Sequence, residues 1–203
     1  MHARLTRFEG SPDKADAGIK LIKEVVIPTA RKLGGFRSGY WLMDRSSGKG
    51  FGVTVFESEA ALKASEEAAA QVRQRASDVS TITGVERYEV FAHSAPRGAS
   101  GVARVTYFKA PADKIDALIK LTKETIVPTA QKMSGFRGGY WLIDRASSTG
   151  LAVTLFDSEA ARAASEESAA GSRSQATQQG ATITGIDRFE VVAEAPVAEP
   201  VSA

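Results

Sequence analysis

Two hydrophobic patterns open the sequence, one typical of a strand and one typical of a helix. Residues 3–8 (ARLTRF) have strand character, with apolar and polar side chains in alternation. Residues 13–33 place apolar side chains three and four positions apart, which predicts an amphipathic helix. Pro28 interrupts this helix, because proline has no amide hydrogen to donate and its ring crowds the preceding turn. We therefore expect a kink or a break near Pro28.

The next pattern predicts a β-hairpin. Residues 37–45 and 50–56 both have strand character, and the sequence SSGK at 46–49 is typical of the turn between them. Successive side chains of a strand point to opposite faces, so Tyr40 and Trp41 lie on opposite faces of the predicted sheet. A cavity on one face can therefore be lined by only one of these two side chains.

A second helix and a last strand complete the pattern. The hydroxyl of Ser58 can cap the first turn of the second helix. The inward face of this helix is predicted to carry small residues, namely Ala61, Ala64, Ala68 and Val72. The pattern of residues 85–92 predicts the last strand. The order β-α-β-β-α-β is ferredoxin-like, with both helices on one face of a four-stranded antiparallel sheet.

The whole pattern occurs twice in the sequence. The sequence GFRSGYWLMDR at 35–45 recurs as GFRGGYWLIDR at 135–145, an offset of 100 residues. Small residues, proline and glycine separate the two copies, as is typical of a linker, and the end of the chain is poor in large apolar residues. The predicted organisation is a first module (1–93), a linker (94–102), a second module (103–194) and a disordered tail (195–203).

The strand at residues 37–45 carries apolar side chains on both faces, so the face without helices also needs a cover. The duplicated module supplies a second sheet for this purpose. We therefore predict an α+β fold of two tandem ferredoxin-like βαββαβ modules that form an intramolecular dimeric α/β-barrel. Such a chain is a monomeric pseudo-dimer, and further homo-oligomerisation through free sheet edges stays open.

Composition narrows the range of functions. The absence of cysteine excludes disulfides, thiolate nucleophiles and cysteine-based metal sites. Of the two histidines, His2 is at the N-terminus and His93 is at the edge of the linker, so we expect no metal site. The formal net charge of +2 comes without any run of basic residues, which makes nucleic acid a poor partner. Without an apolar run that could span a bilayer, we expect a cytoplasmic protein with no membrane partner.

Three pairs of residues in the repeated hairpin are candidate catalytic groups lining a pocket. They are Trp41, Trp141, Tyr40, Tyr140, Arg37 and Arg137. Tryptophan can stack on a flat aromatic substrate, the tyrosine hydroxyl can bind an enolate or phenolic oxygen, and arginine can stabilise an oxyanion. Each pair also has a structural interpretation: a core anchor, a buried tyrosine with a satisfied hydroxyl, and a surface ion pair.

Longer segments of both modules carry a family likeness. They are VVIPTARKLGGFRSGYWLMDR, GFGVTVFESEAALKAS and VERYEVF in the first copy, and IVPTAQKMSGFRGGYWLIDR, LAVTLFDSEAARAAS and IDRFEVV in the second. With these segments, each module resembles the antibiotic biosynthesis monooxygenase-like group of the dimeric α/β-barrel superfamily. That superfamily includes oxygenases, isomerases, haem-degrading proteins and members with no known reaction. The resemblance implies a small-molecule cavity, either between each sheet and its helices or between the two sheets.

The function implied by this resemblance is that of a cofactor-independent monooxygenase-like oxidoreductase acting on a small aromatic or polyketide-type substrate. In such enzymes the carbanion of the substrate itself reacts with dioxygen. The alternative is a non-catalytic small-molecule-binding or structural member, and haem binding or degradation is a third reading. Anthrone oxygenases of the group use Asn, Trp, Tyr and Arg, and haem-degrading relatives use an axial His. This chain has no Asn and no His in the core elements of a module, so only the Trp, Tyr and Arg candidates carry over.

Overall fold

The computed structural model describes residues 1–196, and its elements follow the predicted order in both copies. The first copy contains β1 (His2–Glu9), α1 (Ala15–Leu21), α2 (Ile27–Arg31), β2 (Phe36–Asp44), β3 (Lys49–Phe56), α3 (Glu59–Ala64), α4 (Glu66–Arg75) and β4 (Thr81–Ser94). The second copy contains β5 (Val102–Lys109), α5 (Ile115–Leu121), α6 (Val127–Gln131), β6 (Phe136–Asp144), β7 (Thr149–Phe156), α7 (Glu159–Ala164), α8 (Glu166–Gln178) and β8 (Thr182–Pro196).

The strands confirm the predicted fold class. In hydrogen-bonding order they run β1-β3-β2-β8-β5-β7-β6-β4 in a closed barrel. The predicted hairpin is the antiparallel pair β2 and β3, in which Trp41 lies opposite Gly52. Its counterpart in the second copy is the pair β6 and β7, in which Trp141 lies opposite Ala152.

The compact units of the structure are not identical to the two sequence copies, because the copies exchange the ends of their last strands, β4 and β8. Among the described residues, the first unit consists of Met1–Arg87 and Val191–Pro196, and the second unit is Tyr88–Glu190. The core of the first unit therefore includes Val192, Ala193 and Ala195 from β8, and the core of the second unit includes Phe91 and Ala92 from β4.

The segment predicted to be a tail, residues 195–203, begins inside β8. Ala195 and Pro196 belong to this strand, and Ala195 is fully buried. Residues 197–203 lie outside the described part of the chain.

The interruption predicted at Pro28 is a wide turn of π-helix between α1 and α2. In this turn, Ile22–Val26, the amide of Ile27 donates to the carbonyl oxygen of Ile22, five residues back. The wider turn relieves the crowding that the proline ring causes in an α-helix. The second copy repeats the turn at Thr122–Ile126, ahead of Pro128.

The second predicted helix begins where expected but is divided in two. The side chain of Ser58 accepts a hydrogen bond of 3.1 Å from the amide of Ala61, which confirms the predicted cap. The predicted inward face was wrong at Ala64, which is exposed, whereas Leu62 and Ser65 are buried. The helix is interrupted at Ser65, where α3 ends and α4 begins.

A strained turn in the second copy gives a first prediction. Ser148 has a φ of 57°, a left-handed conformation that costs a non-glycine residue about 1 kcal/mol; the first copy has Gly48 at the equivalent position, with a φ of 70°. Replacing Ser148 with glycine should raise the free energy of unfolding by about 0.5 kcal/mol, after allowing for the greater freedom of glycine in the unfolded chain.

Urea denaturation would measure this gain, with Ser147→Gly as the matched control. Ser147 donates a hydrogen bond of 2.6 Å to the carboxylate of Asp144, so the control variant should lose stability. A loss of stability in Ser148→Gly as well would contradict the strain argument.

Candidate functional site: a cavity beneath the helices of each unit

The first unit contains a cavity of about 120 Å³ between its sheet and its helices. The walls come from β1, β2 and β3 on one side and from α1, α2 and α4 on the other. The lining is mainly apolar, with Phe8, Ile22 and Phe56 among its side chains. Ser11 and Lys14 also line it and are exposed, so the cavity reaches the surface there. A cavity of about 150 Å³ in another protein holds a benzene molecule.

Trp41 forms part of the sheet wall of this cavity. Its indole lies over two glycines: a Cβ built on Gly39 would come within 2.6 Å of Trp41 Cη2, and one on Gly52 within 2.8 Å of Trp41 Nε1. Because neither glycine has a side chain, the ring can lie close against the sheet. Trp41 is only 4% exposed and packs in the core of the first unit, so it is at once a core anchor and a wall of the cavity.

Tyr40 and Tyr140 are buried but do not line the cavities. Alternation along β2 puts Tyr40 on the face opposite Trp41, and Tyr40 is fully buried there. Tyr140 lies on the corresponding face of β6, and its ring is stacked on that of His93 with centroids 6.3 Å apart. Because the cavities lie on the helix side of the sheet, the two tryptophans line them and the two tyrosines do not.

Arg37 and Arg137 lie away from the cavities, at the starts of β2 and β6. Arg37 forms an ion pair of 2.8 Å with Glu57, and both side chains are about half exposed. Arg137 pairs with Asp157 at 2.9 Å. Both arginines thus form the surface ion pairs that were the structural alternative to a catalytic role. A catalytic role for either arginine stays a prediction.

The arginine that does line the first cavity is Arg4, which sequence reasoning missed. Arg4 is on β1 and only 3% exposed. Its Nη2 donates to the carbonyl oxygen of Leu62 at 3.1 Å, to Ser65 Oγ at 2.7 Å and to Glu66 Oε2 at 3.2 Å. Its guanidinium also lies over the ring of Phe56, 5.6 Å from the centroid. Burial lowers the pKa of Arg4 from its ordinary value, and the charge of Glu66 opposes this shift.

Glu66 gathers three arginines at this end of the cavity. Besides Arg4, it forms ion pairs of 2.9 Å with Arg73 and 2.9 Å with Arg87. Burial opposes ionisation of Glu66, but hydrogen bonds from Arg87 and Arg73 and the charge of Arg4 outweigh it and lower its pKa to about 2. The cluster thus combines three positive charges with one negative charge, which leaves an excess of positive charge beside an apolar cavity.

Two buried nitrogen atoms of this cluster have unused hydrogen-bonding capacity. Arg4 Nε and Arg73 Nη1 are buried without a hydrogen-bond partner among residues 1–196. Both arginines line the cavity. A buried donor without a partner is costly, so its presence in a native structure calls for an explanation. An anionic group bound in the cavity would accept from such donors.

The second unit repeats this arrangement around a cavity of about 80 Å³. Arg104 pairs with Glu166 at 2.9 Å, and Arg173 pairs with the same carboxylate at 2.6 Å. Arg104 Nε and Arg173 Nη1 are again buried and without a hydrogen-bond partner in the described part of the chain. Trp141 forms part of the wall. Since both copies keep the same unsatisfied atoms, the arrangement is a property of the module.

A sequence signal for these arginines was present. Arg4 and Arg104 hold the same position in the repeated first strand, between the apolar pairs Ala3 and Leu5 or Ala103 and Val105. A charged residue in such a strand is read as exposed because isolated burial of a charge is costly. The partner that permits burial is more than 60 residues away in sequence, so the pattern of the strand alone could not identify it.

Between residues 1 and 196, no group of three or more His, Cys, Asp or Glu side chains is arranged to hold a metal ion. Within the same range, no helix is long and apolar enough to cross a membrane.

Sequence comparison relates the chain to proteins of Mycobacterium tuberculosis. It is 31% identical to the uncharacterized protein Rv2557 over 161 residues, which are 78% of this chain and 72% of Rv2557. It is 26% identical to the uncharacterized protein Rv2558 over 196 residues, which are 94% of this chain and 83% of Rv2558. No protein-family model matches the sequence.

Comparison with solved structures relates the fold to monooxygenase-like proteins. A Fusobacterium nucleatum protein described as "Putative monooxygenase (FN1347)" superposes with a TM-score of 0.73 at 16% identity, over 96% of this chain and 94% of its own. An anthrone oxidase-like protein superposes with a TM-score of 0.62 at 16% identity, over 100% and 96%. The haem-degrading enzyme LmHde of Listeria monocytogenes gives 0.56 at 12% identity, over 94% and 99%. At these identities the likeness establishes the fold.

Proposed function

The chain belongs to the same family as Rv2557 of Mycobacterium tuberculosis and has the fold of antibiotic biosynthesis monooxygenase-like proteins, and from this premise we propose that it is a cofactor-independent monooxygenase. Its substrate is a small aromatic or polyketide-type molecule with an acidic hydroxyl group. The observation that carries the proposal is the cavity of the first unit, where an apolar lining meets two arginines that each have a buried, unused donor atom.

The cavity provides different surroundings for the apolar end and the oxygen-bearing end of such a substrate. The apolar part of an aromatic ring packs between the indole of Trp41 and the helix-side residues Ile22 and Ala30. The oxygen of the hydroxyl group accepts from Arg4 Nε and Arg73 Nη1. Donors that are already in place and shielded from water stabilise a developing negative charge more strongly than water does. The arginines thereby favour the phenolate or enolate form of the bound substrate.

Glu66 holds these donors in position and does not act as the base. Because its pKa is lowered to about 2, its carboxylate is a weak proton acceptor near neutral pH. It binds both Arg4 and Arg73, so it fixes the two guanidinium groups relative to each other. The proton of the substrate is released to solvent through the mouth of the cavity at Ser11 and Lys14.

The reaction then needs the anion of the substrate, dioxygen and one proton from solvent. The delocalised anion transfers an electron to dioxygen, and the two radicals combine to form a carbon–oxygen bond. The resulting peroxide anion takes up the proton and loses water, so a ring CH₂ group becomes a C=O group. One atom of dioxygen enters the product and the other leaves as water, and the four electrons that reduce dioxygen come from the substrate.

Oxygen uptake with a hydroxyanthrone, which has the ring CH₂ group that the reaction consumes, tests this proposal. We expect Arg73→Gln to lower kcat/KM by about 100-fold, the loss typical for removal of one oxyanion donor. Arg75→Gln is the matched control, because Arg75 is exposed on the same helix and should leave the rate unchanged. Circular dichroism and thermal unfolding would confirm that both variants fold.

Two results would overturn the proposal. Binding of the hydroxyanthrone without oxygen uptake would assign the cavity to a non-catalytic binding protein. A shift of the Soret band on titration with haem, together with haem breakdown under reducing conditions, would assign the chain to haem degradation.

A further inference from the structure

The two cavities have the same charged end but different apolar ends. Each has two arginines joined by one glutamate, which are Arg4, Arg73 and Glu66 in the first unit. In the second unit these are Arg104, Arg173 and Glu166. The volumes nevertheless differ, at about 120 Å³ in the first unit and about 80 Å³ in the second. The cause must therefore lie in the apolar lining.

The helix over the cavity accounts for the difference. Gly18, on α1, lines the first cavity, and a Cβ built on it would meet no atom within 4 Å. The equivalent residue in the second copy is Leu118 on α5, which is 3% exposed and lines the second cavity. One turn earlier, Ala15 lines the first cavity, and its equivalent is Ile115, which is 2% exposed. Two larger side chains thus fill space in the second unit that is open in the first.

We propose that the first cavity binds a small aromatic anion and that Leu118 and Ile115 exclude the same molecule from the second cavity. Gly18 and Ala15 are then the residues that determine specificity. A chain with two copies of the module therefore has one site of this kind. This inference rests on the anion-binding cavity of the proposed function but is independent of its oxygen chemistry.

Titration calorimetry with benzoate as the probe tests the stoichiometry on the full chain. Benzoate has one ring and one anionic group, and it cannot be oxidised by the proposed reaction. We expect one benzoate per wild-type chain. Gly18→Leu should weaken binding at least fivefold, because filling a packed site with extra methylene groups typically costs 1–3 kcal/mol, or about 5- to 150-fold in affinity. Gly171→Leu is the matched control, since Gly171 is exposed on α8 and also has open space at its Cβ position.

A reciprocal variant keeps the test informative if Gly18→Leu fails to fold. Leu118→Ala should open the second cavity and raise the stoichiometry from one to two. The two tryptophans identify which cavity is filled, because Trp41 lines only the first and Trp141 only the second. In a Trp141→Phe variant, benzoate should change the remaining fluorescence, whereas in Trp41→Phe it should not.

Three outcomes would overturn the inference. They are a stoichiometry of two for the wild-type chain, unchanged affinity in a folded Gly18→Leu variant, and no binding of benzoate at all. If benzoate binds once as expected while no substrate supports oxygen uptake, the inference stands and the oxygenase proposal fails. The two proposals can therefore be separated.

Discussion

Replacing Glu66 with alanine should lower the free energy of unfolding by about 3 kcal/mol. The substitution leaves Arg4 as a buried guanidinium that has lost its carboxylate, and removing one partner of a buried ion pair typically costs about 3–5 kcal/mol. We take the lower end of that range, because the side chain of Glu66 is itself 33% exposed. Urea denaturation followed by circular dichroism would measure the loss.

The matched control for this variant is Glu57→Ala. Glu57 also pairs with an arginine, but both partners are about half exposed, and exposed pairs contribute about 0–1 kcal/mol. A loss in Glu66→Ala no larger than that in Glu57→Ala would show that Arg4 does not depend on its carboxylate.

The pH dependence of the Glu66→Ala effect provides a further check. The pKa of Glu66 is lowered to about 2 in the folded protein, from an ordinary value of 4.5. A carboxylate with a lowered pKa stabilises the fold fully above its unfolded value, and this stabilisation is lost as the pH falls through its folded value. The difference between the wild type and Glu66→Ala should therefore be largest above pH 4.5 and shrink as the pH approaches 2.

Replacing Trp41 with alanine should lower the free energy of unfolding by about 3–5 kcal/mol, the range for truncation of a large buried aromatic side chain. Trp41 is 4% exposed and packs in the core of the first unit. The loss should be near the upper end, because the glycines at 39 and 52 cannot fill the space that the indole leaves on the sheet. Chemical denaturation followed by far-ultraviolet circular dichroism would measure it.

Trp41→Phe serves as the control for this second prediction. Phenylalanine keeps an aromatic ring against the sheet, so this variant should lose less than half as much stability as Trp41→Ala. Equal losses in the two variants would contradict this expectation, because they would mean that stability depends on the complete indole and not on an aromatic ring at this position.

The order of elements and the duplication could be predicted from the sequence, because both depend on local patterns. Side-chain alternation identified the hairpin, and the hydroxyl of Ser58 identified the start of the second helix. The alternation of Tyr40 and Trp41 also showed that only one of them could line a given cavity. The sequence could not decide which one, since that depends on the face on which the cavity lies.

The charged end of the site could not be predicted from the sequence, for a different reason. Arg4 and Glu66 are 62 residues apart, and neither lies in a recognisable motif. Burial of an arginine is favourable only when its carboxylate is present, so the two residues have to be considered together. Arg37, by contrast, is a candidate because a guanidinium can stabilise an oxyanion, but the structure places it in a surface ion pair with Glu57.

The exchange of strand ends has a consequence for folding during synthesis. The second unit, Tyr88–Glu190, is one continuous stretch of chain and is complete as soon as it leaves the ribosome. Synthesis of the first unit starts first but is completed last, because its core includes Val192, Ala193 and Ala195, which follow the second unit in the chain. Contacts between residues that are far apart in sequence also form slowly. The N-terminal residues therefore spend most of translation without their final strand, and the unit that is translated later is the first to fold completely.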